Sequence, residues 1–287
     1  MAETAALIFD RALQRRRLAR ALANGRADFL FHHVAEELVA RLAGVQRDFA
    51  VALDLGSATP GLAALLARPG RTVVRAGPIA DAGGDLVADE EALPFRDCLF
   101  DLVACALALQ NVNDLPGALV QIRRALRPDG LFIAALVGGR SLFELRAAFT
   151  QAQAELEGGA SPRVAPFADV RELGRLLQRA GFALPVADSE ETVVRYDSMF
   201  GLMADLRAMG ATNTLLARAR TPLRRATLMR AAQIYAERYA DPDGRVRATF
   251  EFVWASGWAP HESQQRPLAP GSAKMRLADA LSALRKS

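Results

Sequence analysis

The stretch Asp54-Leu55-Gly56-Ser57 has residue types that could do chemistry. It closes the apolar run 49–55 and leads into a second apolar run, 62–67. A buried strand ending in a carboxylate and a glycine, with a helix behind it, is a frequent place for a nucleotide-like ligand. The glycine lets a ligand approach the backbone, and the first turn of the helix offers free N–H groups. Alone, the same stretch fits a tight strand-to-helix turn with no ligand. The three histidines, His32, His33 and His261, are the other side chains with catalytic or metal-binding capacity. Adjacent residues on a helix point about 100° apart, so His32 and His33 do not easily share one metal. His261 and Glu262 with one of them would give two imidazoles and a carboxylate, a set suited to iron. The expectation is no metal site, with the segment His261-Glu262-Ser263 structural or partner-binding. Cys98 and Cys105 lie in or beside one predicted strand with no CxxC pattern, which argues against a disulfide or zinc site and fits a reducing compartment.

The elements that must position these residues follow from periodicity and punctuation. Residues 4–23 and 28–44 read as helices separated by Asn24-Gly25. Runs at 49–55, 72–76, 86–88, 99–106 and 131–137 read as short buried strands, with helices at 62–67 and 114–126 and a turn at 127–130. Asp114 is the expected cap of its helix and Pro116 falls in the first turn. Short buried strands alternating with helices imply a parallel sheet covered on both faces. Beyond residue 140 the pattern predicts helices at 141–156, 167–180, 198–209 and 222–240. Strands are expected at 183–195, bent near Pro185, and at 246–258. Trp254 and Trp258 would share one face of the last strand.

The chain of 287 residues carries a formal charge of +4, and its basic residues are nearly all arginine. The positive charge is not interleaved with aromatics, so no nucleic-acid partner is expected. No run approaches the ~18 apolar residues of a membrane span, and the start lacks the apolar core of a secretory signal. The expectation is a soluble protein. Arg11, Arg15, Arg16, Arg17 and Arg20 crowd one side of the first helix, either as a solvated face or as a peripheral membrane contact.

Four blocks in order carry a resemblance. They are Asp54-Leu55-Gly56, Asp89-Glu90-Glu91-Ala92-Leu93-Pro94-Phe95, Phe100-Asp101-Leu102-Val103 and Leu126-Arg127-Pro128-Asp129-Gly130. Together they resemble the class I S-adenosylmethionine-dependent methyltransferases. A closer resemblance, to a family of mitochondrial respiratory complex I assembly factors linked to arginine hydroxylation, spans nearly the whole chain. It rests on Phe9-Asp10-Arg11-Ala12-Leu13, Val112-Asn113-Asp114-Leu115-Pro116, Glu157-Gly158-Gly159, Met199-Phe200-Gly201 and the segment from Gly257 to Gln264.

The resemblance implies an α/β, Rossmann-like fold with a seven-stranded, mostly parallel sheet. It implies a helical cap at 1–48, a methyltransferase-like domain at 49–258 with a helical insertion at about 196–245, and a tail at 259–287. It further implies S-adenosylmethionine as cofactor and an arginine of a protein, a complex I subunit, as acceptor, in the bacterial cytoplasm or the mitochondrial matrix. The alternatives are a non-catalytic assembly factor with a degenerate site, or a methyltransferase for an acyl carrier or small molecule. By position, Asp54, Gly56 and Ser57 would lie near the methionine part of the cofactor. Asp89, with Glu90 beside it, would face the adenine amino group. Leu109, Gln110 and Asn111 would border the methyl group and acceptor, making Gln110 and Asn111 the catalytic candidates. The chain departs from the pattern at Ala58 and Pro60, where glycines are usual. It departs again at the end of the second strand, Arg75-Ala76-Gly77, where an acid that binds ribose is usual and Asp81 is the nearest carboxylate. Gln110 stands where the family often has histidine, so no imidazole is available there to move a proton.

Overall fold

The computed structural model describes residues 7–57, 59–80, 84–167 and 169–265. Its strands are β1 (Val51–Leu55), β2 (Thr72–Gly77), β3 (Leu86–Val87), β4 (Phe100–Ala106), β5 (Leu126–Val137), β6 (Ala183–Tyr196) and β7 (Val246–Trp258). They form one sheet in the order β3-β2-β1-β4-β5-β7-β6. β1 to β5 pair in parallel, and β7 runs antiparallel to both β5 and β6. The order reverses between β1 and β4, which creates a crevice beyond their carboxyl ends. β4 is buried at nearly every position, as a central parallel strand covered on both faces must be.

The helices are α1 (Arg11–Ala23), α2 (Phe29–Ala43), α3 (Gly61–Leu66), α4 (Leu115–Ala125), α5 (Phe143–Glu157), α6 (Val170–Arg179), α7 (Met199–Ala208) and α8 (Arg225–Tyr239). They supply two cores, one per face of the sheet. Leu119, Ile122, Leu173 and Leu177 of α4 and α6 pack on Val103, Cys105, Phe132 and Val253. On the other face, Leu38 of α2, Phe149 of α5, Leu202 of α7 and Ile234 and Tyr235 of α8 pack on Leu102, Ile133 and Phe252. α7 and α8 form the helical insertion between β6 and β7. Asp114 caps α4 by accepting from the Gly117 N–H at 2.8 Å.

Three of the boundaries that differ from expectation have a visible cause. The first helix begins only at Arg11, because Phe9 makes an antiparallel bridge to Leu215 and Asp10 is the N-cap; residues 1–6 lie outside the described residues. The stretch 127–130 is absorbed into β5 as a bulge: pairing moves from Phe100–Leu126 to Leu102–Leu131. Asp129, at φ 63°, takes the left-handed conformation that a glycine would adopt freely. Its carboxylate accepts from Gln264 at 2.8 Å and pairs with Arg47. The Gly257–Gln264 segment is thus tied to the amino end of β5. α5 begins at Phe143, because Leu142 sits at φ 53° and breaks the turn before it.

Candidate functional site

The crevice between β1 and β4 is built from buried charge. Asp54 is fully buried on β1, with Arg75 of β2 as its register partner on one side and Ala104 of β4 on the other. Arg75 is itself only 4% exposed, and its guanidinium donates to the Ser57 carbonyl at 3.3 Å. Gly56 turns at φ 72°, a conformation that a side chain resists. A Cβ there would meet Ala108 at 2.6 Å and the Glu90 carboxylate at 2.8 Å. The space directly above this glycine is therefore taken by Glu90. Beside it, the Ser57 hydroxyl is buried with no hydrogen-bond partner among the described residues. At Gly77, where an acid is usual, a Cβ would meet nothing within 4 Å among the described residues. Ala58 and Asp81, two positions of interest in the sequence, lie outside the described residues.

Asp89 and Glu90 follow β3 and receive the first helix. Arg11 donates to Asp89 at 3.0 Å and pairs with Glu90, and Arg15 pairs with the other oxygen of Asp89. Burial pushes the Glu90 carboxyl above its ordinary value, against the pull of Arg11. For Asp89, burial raises the value, but the Glu91 N–H, Arg11 and Arg15 outweigh it and hold the carboxyl below the aspartate range. Beneath the pair, burial drives the Cys105 thiol up, reinforced by Glu90 and Asp54, so it stays protonated.

A short strap leads into α1 and binds three separate regions. The backbone N–H groups of Ile8 and Phe9 both donate to the Asn113 side chain at 2.8 Å. Asp10 caps α1 at the Leu13 N–H and accepts from Arg218 at 3.1 Å. Arg11 reaches the carboxylates of the crevice. Arg11, Arg15 and Arg17 bond within the chain, Arg17 on the Asn213 carbonyl, so they are not a simple solvated face. Arg16 and Arg20 are exposed.

Leu109, Gln110 and Asn111 form a single 3-10 turn beyond β4, not part of the strand. Leu109 is buried in the core with Ala88 and Leu55. Gln110 and Asn111 face a cavity of about 250 Å³ that also takes in Gln14, Leu142, Phe149 and Phe167. Met203, Leu206 and residues 210–214 of the insertion cover it. The Gln110 amide donates to the Leu107 carbonyl at 2.8 Å, which fixes its orientation. Its Oε1 is left buried with no partner among the described residues. The turn is aimed by Leu107, held at φ 54°. Sequence reasoning had no signal for Gln14, Arg163 or Arg207, which reach this cavity from α1, from the loop after α5 and from α7.

The histidines are dispersed. His32 pairs with Glu36 at 3.2 Å, the His33 ring lies 6.1 Å from that of Phe252, and His261 bonds Ser263 within its own turn. Trp254 and Trp258 line one groove, where Arg41 lies 4.4 Å over the Trp254 ring.

The strand order, the crevice at its reversal and the carboxylates around Gly56 define the class. Residues 26–185 match the methyltransferase domain family, and the chain belongs to it. The fold is shared with solved structures such as the YcgJ protein of Bacillus subtilis (TM-score 0.54, 14% identity, covering 80% of this chain and 99% of that one). Within that class the chain is 39% identical over 286 residues to the Danio rerio protein named "Arginine-hydroxylase NDUFAF5, mitochondrial", covering 95% of this chain and 89% of that one, and it is a member of this protein's family. It is also 35% identical to the malonyl-acyl-carrier-protein O-methyltransferase of Halorhodospira halophila, over 86% of each chain. Among the described residues, no helix is long and apolar enough to cross a membrane.

Proposed function

We propose that the protein binds S-adenosylmethionine in the crevice between β1 and β4 and modifies an arginine side chain of a protein acceptor. The name of its Danio rerio relative and the complex I assembly resemblance point to a respiratory complex I subunit, in a bacterial cytoplasm or mitochondrial matrix. The observation that carries the acceptor half is Gln110, which lines the cavity and whose buried Oε1 has no hydrogen-bond partner among the described residues: a small movement of the side chain would let a guanidinium N–H satisfy it.

The crevice fits the cofactor at several points. Asp54, Gly56 and Ser57 would hold its methionine part once the Glu90 carboxylate over Gly56 moves aside, the buried Ser57 hydroxyl gaining a partner; Asp89, with Glu90 beside it, would face its adenine, and Leu109 would border its methyl group. Gly77 provides no acid for the ribose, which lowers the affinity by the value of a charged hydrogen bond. When bound, S-adenosylmethionine supplies an activated methyl group. The chain itself would contribute positioning: Gln110 and Asn111 orient the acceptor, and the insertion excludes water.

Titration calorimetry tests the first half. Saturable binding of S-adenosylmethionine, weakened in Ser57→Ala, supports it; no heat at millimolar ligand overturns it and leaves a non-catalytic assembly factor. Ser57→Ala is chosen because its hydroxyl supports no contact in the fold. Mass spectrometry of an arginine peptide incubated with the protein, the cofactor and a cell extract tests the second. Gain of a methyl group with release of S-adenosylhomocysteine, or gain of an oxygen with dioxygen and two electrons from a reductant in the extract, supports arginine modification when it depends on the added protein; a peptide unchanged, or changed equally by extract alone, counts against it. One observation favours a second reading. Arg163 and Arg207 line the cavity, and they suit a carboxylate acceptor such as the malonyl group named for the Halorhodospira relative.

A further inference from the structure

The cavity at Gln110 has no aspartate or glutamate among its described lining residues, whereas Arg163 and Arg207 belong to its wall. Its rim is also basic. The loop 209–218, which covers the cavity, is gripped by arginines from outside: Arg26 donates to the Met209 carbonyl at 3.1 Å and Arg17 donates to the Asn213 carbonyl. Arg218 lies within the loop, tied to Asp10. Arg16 and Arg20 stand exposed beside Arg17 on α1. Burial, and then Arg218, Arg20 and Arg16, pull the Arg17 guanidinium below the ordinary arginine value, with Asp10 the one opposing charge. The collar therefore carries net positive charge that its own carboxylates do not balance.

Such a collar repels the acceptor assigned above. Positive charges around a cavity mouth oppose the entry of a lone guanidinium, screened by salt over a Debye length of ~8 Å at physiological ionic strength. The repulsion disappears if the chain bearing that arginine brings negative charge to the rim. An anionic bilayer would meet the same arginines, but a flat surface cannot deliver a side chain beneath α7. We propose that the rim formed by α1 and the loop 209–218 docks an acidic polypeptide segment, whose flanking carboxylates meet Arg16, Arg20 and their neighbours while its acceptor side chain enters the cavity. The docking surface stands on the charge of the rim; the identity of the entering side chain rests on the arginine reading above.

Three synthetic peptides separate the two: an arginine flanked by glutamates, an arginine flanked by glycine and serine, and the glutamate peptide with alanine replacing arginine. Binding is measured by fluorescence anisotropy on the full chain, without and with S-adenosylmethionine. The acidic arginine peptide is expected to bind roughly tenfold more tightly than the neutral one and to weaken steeply with salt. The double variant Arg16→Glu/Arg20→Glu should remove that advantage while leaving the melting temperature unchanged, since both side chains are exposed. Equal binding of acidic and neutral peptides overturns the docking surface and leaves the arginine reading intact. Binding of the alanine peptide as tight as that of its arginine parent upholds the docking surface and sinks the arginine reading. Anionic vesicles that bind with the same loss in the double variant, and that the acidic peptide does not displace, show a membrane surface and overturn the proposal.

Discussion

The crevice over Gly56 and the cavity at Gln110 both follow the carboxyl ends of the central strands β1 and β4 but are built in opposite ways. The crevice is crowded with charge from the chain itself: Asp54 beside Arg75, and Asp89 and Glu90 against Arg11 and Arg15. The cavity is mainly apolar, with a few fixed polar atoms, two arginines and no carboxylate among its described lining residues. A charged region that satisfies itself resists change, because removing one partner leaves the other stranded out of water. An apolar cavity with one orphaned acceptor selects its occupant, because only a donor recovers the lost hydrogen bond. The difference separates a site whose affinity is set by what must first be displaced from one whose specificity is set by what fits.

The largest effect should come from breaking the self-satisfied side. Arg11→Ala strands Glu90, 2% exposed, and should cost about 3 kcal/mol in urea denaturation. A cost near zero would mean that Glu90 simply takes up a proton and that the crevice is not held by this pair. On the cavity side, Gln110→Leu keeps volume and removes the orphaned acceptor. It should weaken an arginine peptide by about 2 kcal/mol, the scale of a hydrogen bond to a charged group. The lost donation to the Leu107 carbonyl should itself cost about 1 kcal/mol of fold stability, so the peptide loss is read against a stability-matched control. Gly77→Asp sharpens the contrast in the other direction. Its Cβ enters space that is open among the described residues, and the carboxylate restores the acid for ribose, so S-adenosylmethionine should bind about tenfold more tightly.

The smallest effect is in pH. Asp10 and Asp89 have carboxyls lowered in the fold, so the stability they lend is complete above the ordinary value of 3.8 and is lost as pH falls through their folded values. The N–H of Leu13 is the main cause for Asp10. Glu90 acts in the opposite sense. Its value is raised above 4.5 by burial, so its ionisation costs stability as pH rises from 4.5 through the folded value. The urea midpoint should therefore rise slightly as pH is lowered toward 4.5 and fall below 3.8. Glu90→Gln should abolish the first limb and keep the second.

The central strands β1 and β4 and the latter half of β5 were legible because they are continuous apolar runs, and burial on both faces writes itself into sequence. The crevice residues Asp54, Gly56, Asp89 and Glu90 were legible as spaced blocks. Their partners were not. Phe9-Asp10-Arg11 could be recognised as a block, but its contacts with Asn113, Arg218 and Glu90 join residues far apart in the chain, and no local pattern encodes them. Arg127 to Gly130 read as a turn because turn residues fill it. The structure makes it a bulge because Asp129 has tertiary work to do with Arg47 and Gln264. The orphaned oxygen of Gln110 was invisible for a different reason: a missing partner leaves no mark on composition.

Arg11 touches both regions at once. One of its nitrogens holds Asp89 and Glu90, and the other donates at 2.9 Å to Gln14, which lines the cavity. Any ligand that draws this guanidinium away from the crevice also releases Gln14 on the other side. Linkage then requires reciprocity: whatever factor an occupant of the crevice applies to affinity in the cavity, the cavity's occupant must return unchanged. A single arginine thereby makes two binding equilibria into one thermodynamic cycle.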